Sequence, residues 1–270
     1  MNKIIFLFLC LEVLLHAQPL VIAHLGAAGY APENTITAFK MAIESGADAI
    51  EIDLRQTKDG VLVVLHDESV DRTTDGKGEV DELTYKELMK LDAGNWFDEN
   101  FSGERIPTLK EVLALLNDSI KIIIELKADD DDHPGIEQRV VNMIRGSGLE
   151  DQTILKSFNP NVIKRLRKIA PEIQLCYVYA LRIPWLGLIV DTGISFGSIF
   201  DIDADYLQPH RFFLSKSFVQ DAQSNGYKVI AWGVESESAI QEAIEFGVDG
   251  IETDYVDRVR KYVDNKIVPK

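Results

Sequence analysis

The chain has 270 residues, enough to bury a full core either as one α/β barrel or as two smaller domains. Its 28 basic and 44 acidic side chains leave a formal charge of −16, which argues against a nucleic acid or an anionic membrane held by long-range attraction. Only Cys10 and Cys176 are present, so a disulfide framework is excluded, and any phosphate-bearing substrate would need a metal and a few local cations.

Met1-Asn2-Lys3 is a short basic region, residues 4–15 are apolar, and Ala17 can precede a cleavage site. The apolar run is too short to span a bilayer, which takes about 20 residues. Residues 1–17 therefore read as a signal peptide of an exported protein, periplasmic or secreted, although Glu12 interrupts the run and Leu15 with Ala17 is a poor cleavage pattern. A helix lying on the domain, or anchoring it to a membrane surface, is the alternative.

Residues 20–23 are an apolar strand that delivers His24 to a loop of glycines and proline, LGAAGYAP. Asn34 or Thr35 can cap the helix that follows to about Ser45, with Gly46 just past its end. Residues 46–67 gather more chemistry than any other stretch. On a strand, Glu51 and Asp53 share one face while Ile50, Ile52 and Leu54 take the other. Lys58-Asp59-Gly60 supplies a tight reversal, and residues 61–65 run back to deliver His66 and Asp67. Carboxylate oxygens suit a hard divalent cation, and an imidazole neutral near pH 7 suits proton transfer.

Residues 68–105 break the strand–helix rhythm and read as an insertion over the mouth of the domain. It holds a polar loop, a short helix started by Thr84 and Glu87, and the aromatics Trp96, Phe97 and Phe101, which suit the core of a small lobe. Alternation resumes with a helix capped by Thr108 and Glu111. Residues 120–126 then form a strand whose Glu125 is costly to bury unless paired or metal-bound. Lys127 follows, then the acids 129–132, read as a solvated run.

Further strands are expected at 153–157, 173–179, 203–208, 228–233 and 248–253, with helices at 160–169, 213–224 and 236–246 and a closing helix. Residues 184–200 are apolar but broken by Asp191 and three glycines, so they are no membrane span. Residues 46–53 (GADAIEID) and 247–254 (GVDGIETD) echo one another as equivalent units would. Eight strands alternating with helices fit a closed (β/α)8 barrel best, with an open doubly wound sheet as the alternative. On a barrel, His24, Glu51, Asp53, His66, Glu125 and Lys127 all face one mouth. Three carboxylates for Ca²⁺ or Mg²⁺, two histidines as acid and base, and a lysine for phosphate describe metal-assisted phosphodiester cleavage.

At this point the sequence resembles the glycerophosphodiester phosphodiesterase family. The likeness rests on HLGAAGYAPENT at 24–35, Glu51-Ile52-Asp53, TKDG at 57–60 followed by His66-Asp67, Glu125-Leu126-Lys127, SFNP at 157–160, Ala231-Trp232 and GVDGIETDY at 247–255. The resemblance implies a TIM barrel over residues 18–270 with a small insertion after the second strand, about 68–105. It implies His24 and His66 as catalytic acid and base, Glu51, Asp53 and Glu125 as metal ligands, and Lys127, Phe158 and Trp232 around the substrate. Glu33 and Asn34 match the family's Pro-Glu-Asn motif and read first as loop and cap structure.

The implied reaction is metal-dependent hydrolysis of a small-molecule glycerophosphodiester to glycerol 3-phosphate and an alcohol. A phospholipase-D-like action on lysophospholipids, suggested by residues 184–200, and a weakly active phosphate-binding barrel are the alternatives. The second of these stems from Leu25, which stands where the family carries an arginine able to fork onto the phosphate. Losing such a contact costs about 1.5–3 kcal/mol, or roughly one to two orders of magnitude in rate, unless Arg55 or Arg182 substitutes. A Leu25→Arg variant is accordingly expected to raise kcat/KM on a glycerophosphodiester. No gain in a folded variant would mean that phosphate has another anchor or that the site has another job.

Overall fold

The computed structural model describes residues 18–116, 120–127, 135–179 and 199–265. The leader with Cys10, the acidic run 129–132, residues 184–198 and Arg182 lie outside the described residues. Strand β1 (Leu20–Ala23) leads through α1 (Ile36–Glu44) to β2 (Ala49–Gln56), whose return arm is β3 (Leu62–Val64). Two short helices, α2 (Tyr85–Leu88) and α3 (Leu109–Leu113), precede β4 (Lys121–Leu126) and α4 (Ile136–Ser147). Then come β5 (Thr153–Ser157), α5 (Pro160–Ile169), β6 (Gln174–Tyr179), β7 (Tyr206–Pro209) and α6 (Lys216–Ser224). The chain closes with β8 (Lys228–Ala231), α7 (Glu237–Phe246), β9 (Gly250–Thr253) and α8 (Val256–Asn265).

Parallel pairing runs β1-β9-β8-β7-β6-β5-β4-β2, and β1 also pairs with β2, so eight strands close into a TIM barrel. Strand β3 stands outside that ring, antiparallel to the last turn of β2. The closed barrel thus replaces the open-sheet alternative. Helix α4 is not among the elements read from the sequence, although Ile136, Val140, Val141 and Ile144 carry a helical spacing and are buried. Helix α6 starts at Lys216 rather than Phe213, because Ser215 accepts from the Phe218 amide and caps it. Among the described residues no helix is long and apolar enough to cross a membrane.

The pleat sorts each strand between two cores. Outward residues such as Ile50, Ile52, Leu54, Ile122, Ile124 and Leu155 pack with the helices. Inward residues Ile22, Ala49, Ile123, Ile154, Cys176, Tyr206 and Ile230 form a separate apolar plug that fills the lower barrel. A Cβ on Gly250 would come within 2.9 Å of Ile22 Cδ1 and 3.1 Å of Ile230 Cγ1, so a glycine admits the plug there. Two residues further along β2, β4, β5 and β9 the inward positions are Glu51, Glu125, Lys156 and Glu252, all buried. Apolar plug below and charge above therefore follow from the period of two.

The sequence echo has a structural meaning at the barrel's lower rim. Asp48, before β2, accepts from the Val21 amide at 2.8 Å, and Asp249, before β9, accepts from the Val229 amide at 2.8 Å. Asp205, before β7, does the same for Leu175 at 2.8 Å. In each case the aspartate's own amide donates back to the same residue. Each bond is worth on the order of 1 kcal/mol and fixes register where the strands begin.

The insertion has its own small core of Val63, Leu65, Val70, Val80, Leu88, Ala93 and Ile106. The aromatics that the sequence leaves unassigned lie outside it: Trp96 is 38% and Phe97 36% exposed, and Phe101 packs edge-on to Phe97. Aliphatic side chains fill the space beneath β3, which leaves the rings on the lobe's surface.

Candidate active site

Strand β1 ends at His24, whose Nδ1 lies 2.8 Å from Asp254 Oδ1 just beyond β9. The hairpin arm β3 delivers His66, whose Nδ1 lies 2.8 Å from Asp67 Oδ1. A carboxylate partner fixes the proton on Nδ1 of each ring and leaves Nε2 for exchange with a substrate. Burial lowers the His24 pKa, but the Asp254 hydrogen bond and the charges of Glu51 and Glu252 outweigh it and push it up to about 10.

Between the two histidines stand Glu51, Asp53 and Glu125, each offering an oxygen within 4.8 Å of the others. Asp53 and Glu125 are direct cross-strand neighbours, as are Glu125 and Lys156. Burial pushes the Glu51 carboxyl up to about 7 against the pull of Lys156. Burial acts on Asp53 as well, yet Lys127, His66 and Lys156 overcome it and hold that carboxyl well below the usual range. Lys127 Nζ sits 3.0 Å from Asp53 Oδ1 and 2.5 Å from Glu125 Oε1. Three buried carboxylates with ammonium groups lodged among them make a cavity whose chemistry demands cations, and their all-oxygen donor set fits Ca²⁺ or Mg²⁺.

Lys127 also lies 5.9 Å from the centre of the Phe158 ring, and Phe158 meets Trp232 edge-on at 6.5 Å. The structure thus brings these three residues to one side of the mouth, each following its strand. An open hollow of about 360 Å³ adjoins Lys127 between Arg55, His66, Glu68 and Glu79. Arg55 is not a free substitute for the missing arginine, because its Nε and Nη2 both donate to the His66 carbonyl, at 3.0 and 2.8 Å.

The loop after β1 supplies what the sequence reading assigned elsewhere. Thr35, not Asn34, caps α1 by accepting from the Ala38 amide. Asn34 instead donates from Nδ2 to Asp53 Oδ2 at 3.0 Å and accepts from the Asp53 amide at 3.3 Å. It does so from a left-handed backbone conformation (φ 57°), as does Leu25 (φ 53°). Such φ values cost a leucine roughly 1–2 kcal/mol. The Leu25 amide donates to Glu51 Oε2 at 3.2 Å and its carbonyl accepts from the Asn34 amide at 2.9 Å, which holds the strained turn over the carboxylates. Gly29 passes so close to Tyr255 that a Cβ would fall 2.3 Å from the ring. Glu33 forks onto Arg72 at 2.6 and 2.8 Å, and Arg72 also reaches Asp67 at 2.6 Å. Glu33, Arg72, Asp67 and His66 thus form a chain from the first loop to the second histidine. Asp254, Lys156, Glu252 and Arg72 were not singled out from the sequence. Lys156 and Glu252 did carry a signal, a charge inside an apolar strand, the same one that marked Glu125.

The glycerophosphoryl diester phosphodiesterase family model matches residues 24–258. A glycerophosphodiester phosphodiesterase of Caldanaerobacter subterraneus subsp. tengcongensis is 41% identical over 238 residues, 88% of this chain and 94% of that protein. One from Bacillus altitudinis is 36% identical over 245 residues, covering 89% and 96% of the two chains. Among solved structures, an Oleispira antarctica phosphodiesterase in complex with the product sn-glycerol-3-phosphate superposes with a TM-score of 0.76 at 29% identity, over 92% of this chain and 97% of that one.

The Arg72 bridge makes a prediction about acid. The hydrogen bond from Arg72 is the largest influence on Asp67 and, against partial burial, pulls its carboxyl down to about 2. The folded pKa lies below the unfolded value of about 3.9, so the stabilisation is full above that value and fades as pH falls towards 2. Urea unfolding of Arg72→Gln at pH 7 should show a loss of about 1 kcal/mol or less, as for other partly exposed pairs. The gap from wild type should narrow between about pH 4 and pH 2. A gap independent of pH would contradict this role for the pair.

Proposed function

The chain belongs to the glycerophosphoryl diester phosphodiesterase family, and we propose that it hydrolyses glycerophosphodiesters to glycerol 3-phosphate and an alcohol at the mouth described above. The observation that carries this reading is the buried triad of Glu51, Asp53 and Glu125 set between two histidines, each held by an aspartate. Glu51, Asp53 and Glu125 would hold a divalent cation, which when bound supplies positive charge and polarisation to a phosphate oxygen. Export, read from residues 1–17, belongs to the same proposal.

The protein's own groups account for the rest. Lys127 is charged, because Glu125 and Asp53 overcome the effect of its burial and raise its pKa, and it is 17% exposed at the mouth. It therefore offers a cation to a second phosphate oxygen and to the charge that develops there. His24 and His66 each have Nδ1 engaged by an aspartate. One takes a proton from the attacking oxygen through Nε2 and the other returns a proton to the departing alcohol. Asn34 and the Leu25 amide keep Asp53 and Glu51 in place without themselves touching the reacting atoms. The edge-on pair of Phe158 and Trp232 walls one side and limits the substrate's poses.

Glycerol 3-phosphate release from glycerophosphocholine and glycerophosphoethanolamine, with Ca²⁺, with Mg²⁺ and with chelator, tests the proposal. Release should vanish in chelator, and His24→Ala and His66→Ala should each lower kcat by at least about 100-fold. Chelator-resistant release would refute the metal's part. Full activity in both histidine variants would refute theirs.

A further inference from the structure

The reaction above gives no task to two buried charged residues beneath the mouth. Lys156 and Glu252 have side chains 3% exposed. Lys156 Nζ stands 2.7 Å from Glu51 Oε1 and 3.3 Å from Glu125 Oε2. On its other flank it lies 3.3 Å from Glu252 Oε2, an oxygen that also accepts from Gln208 Nε2 at 2.8 Å. We propose that Lys156 is a positioning residue that sets the affinity of the carboxylate triad for its cation, and that Glu252, steadied by Gln208, offsets the Lys156 charge so that the cation can bind. This rests on the metal reading given above.

Three observations carry the inference. The first is charge. Glu51, Asp53, Glu125 and Glu252 face Lys127 and Lys156. Four buried carboxyl groups thus share two ammonium groups, an excess of acidic side chains that an added cation would meet. The second is mobility. Lys127 is 17% exposed and can swing into solvent when a cation enters, whereas Lys156 is sealed between the carboxylate layer and the apolar plug and cannot leave. Its charge therefore repels the bound cation permanently. The third is geometry. Two of the three proposed ligands lean on Lys156, which spares the metal-free barrel an uncompensated pair of buried carboxylates. Glu252 offsets that repulsion: its Oε2 is engaged by Gln208 and Lys156, while its place beside His24 and Glu51 makes it the other candidate ligand that the experiment must separate.

The signs follow from charge alone. Removing Lys156 should tighten cation binding and removing the charge of Glu252 should weaken it, whereas loss of packing would weaken both. Even at a water-like dielectric, one unit charge about 5 Å from a divalent ion changes its affinity roughly tenfold. Calorimetric titration of the chelator-treated full chain with Ca²⁺ and with Mg²⁺ reads this directly. Lys156→Met should bind at least tenfold more tightly than wild type and Glu252→Gln at least tenfold more weakly. The double variant restores the charge and should return to within about threefold of wild type. If Lys156→Met does not fold, the double variant against Glu252→Gln carries the same test, and it should bind the more tightly of the two.

Equal affinities in wild type and single variants would overturn the proposal. So would weakening in both single variants. A double variant as weak as Glu252→Gln would place Glu252 among the ligands and overturn it too. Wild-type protein that binds neither ion would remove the metal reading itself, and this proposal with it.

Discussion

Carboxylates buried inside a barrel must be met by positive charge, and the upper half of this structure is arranged to meet them. The pleat of parallel strands puts Glu51, Asp53, Glu125 and Glu252 on inward positions, above a buried apolar plug of isoleucines, Ala49, Cys176 and Tyr206. An unpaired carboxylate there would cost several kcal/mol. Lys156 answers from within the layer and Lys127 from the rim. Their difference in exposure separates a fixed internal cation from one that can give way. Burial is what raises the Glu51 carboxyl, to about 7, against the pull of Lys156.

The histidines are arranged by a second set of carboxylates outside that layer. Asp254 comes from the end of β9 and Asp67 from the residue after His66, so each ring has its Nδ1 fixed from a different part of the chain. The insertion contributes Arg72, which ties Asp67 to Glu33 on the loop after β1. Because Asn34 on that same loop grips Asp53, the first loop, strand β2 and the second histidine form one hydrogen-bonded assembly. The left-handed Leu25 and Asn34 are the conformational cost of that assembly, offset by the bonds they make to Glu51 and Asp53.

The fold was legible where local signals and period agreed. The β1 strand, the 46–67 hairpin, the Asp-Gly turn and the capped helices could be read because each depends on residues adjacent in sequence. The echo of GADAIEID and GVDGIETD marked a real equivalence, the aspartate clamp at the barrel's lower rim, although its purpose was invisible without the neighbouring strands. The site was legible to the extent that charges stood at strand ends. Asn34 was taken first for a cap because its partner, Asp53, lies on a different element. Lys156 and Glu252 carry the same signal as Glu125, a charge in an apolar strand, but their role is hidden in the sequence because their pairing across the barrel exists only after closure. The aromatics of the insertion stay unassigned in the sequence because aromatic character alone does not say which side of a small lobe a ring occupies.

The central claim is that the carboxylate layer is built around one divalent cation, with Lys156 retained and Lys127 free to yield. Anomalous diffraction from crystals grown with Mn²⁺, a cation that takes the same oxygen ligands, tests it most directly. The account predicts a single strong peak bonded to oxygens of Glu51, Asp53 and Glu125, with Lys127 turned away from them and Lys156 still against Glu252. A triad without a peak, or a peak with Lys156 displaced from the layer, would contradict it.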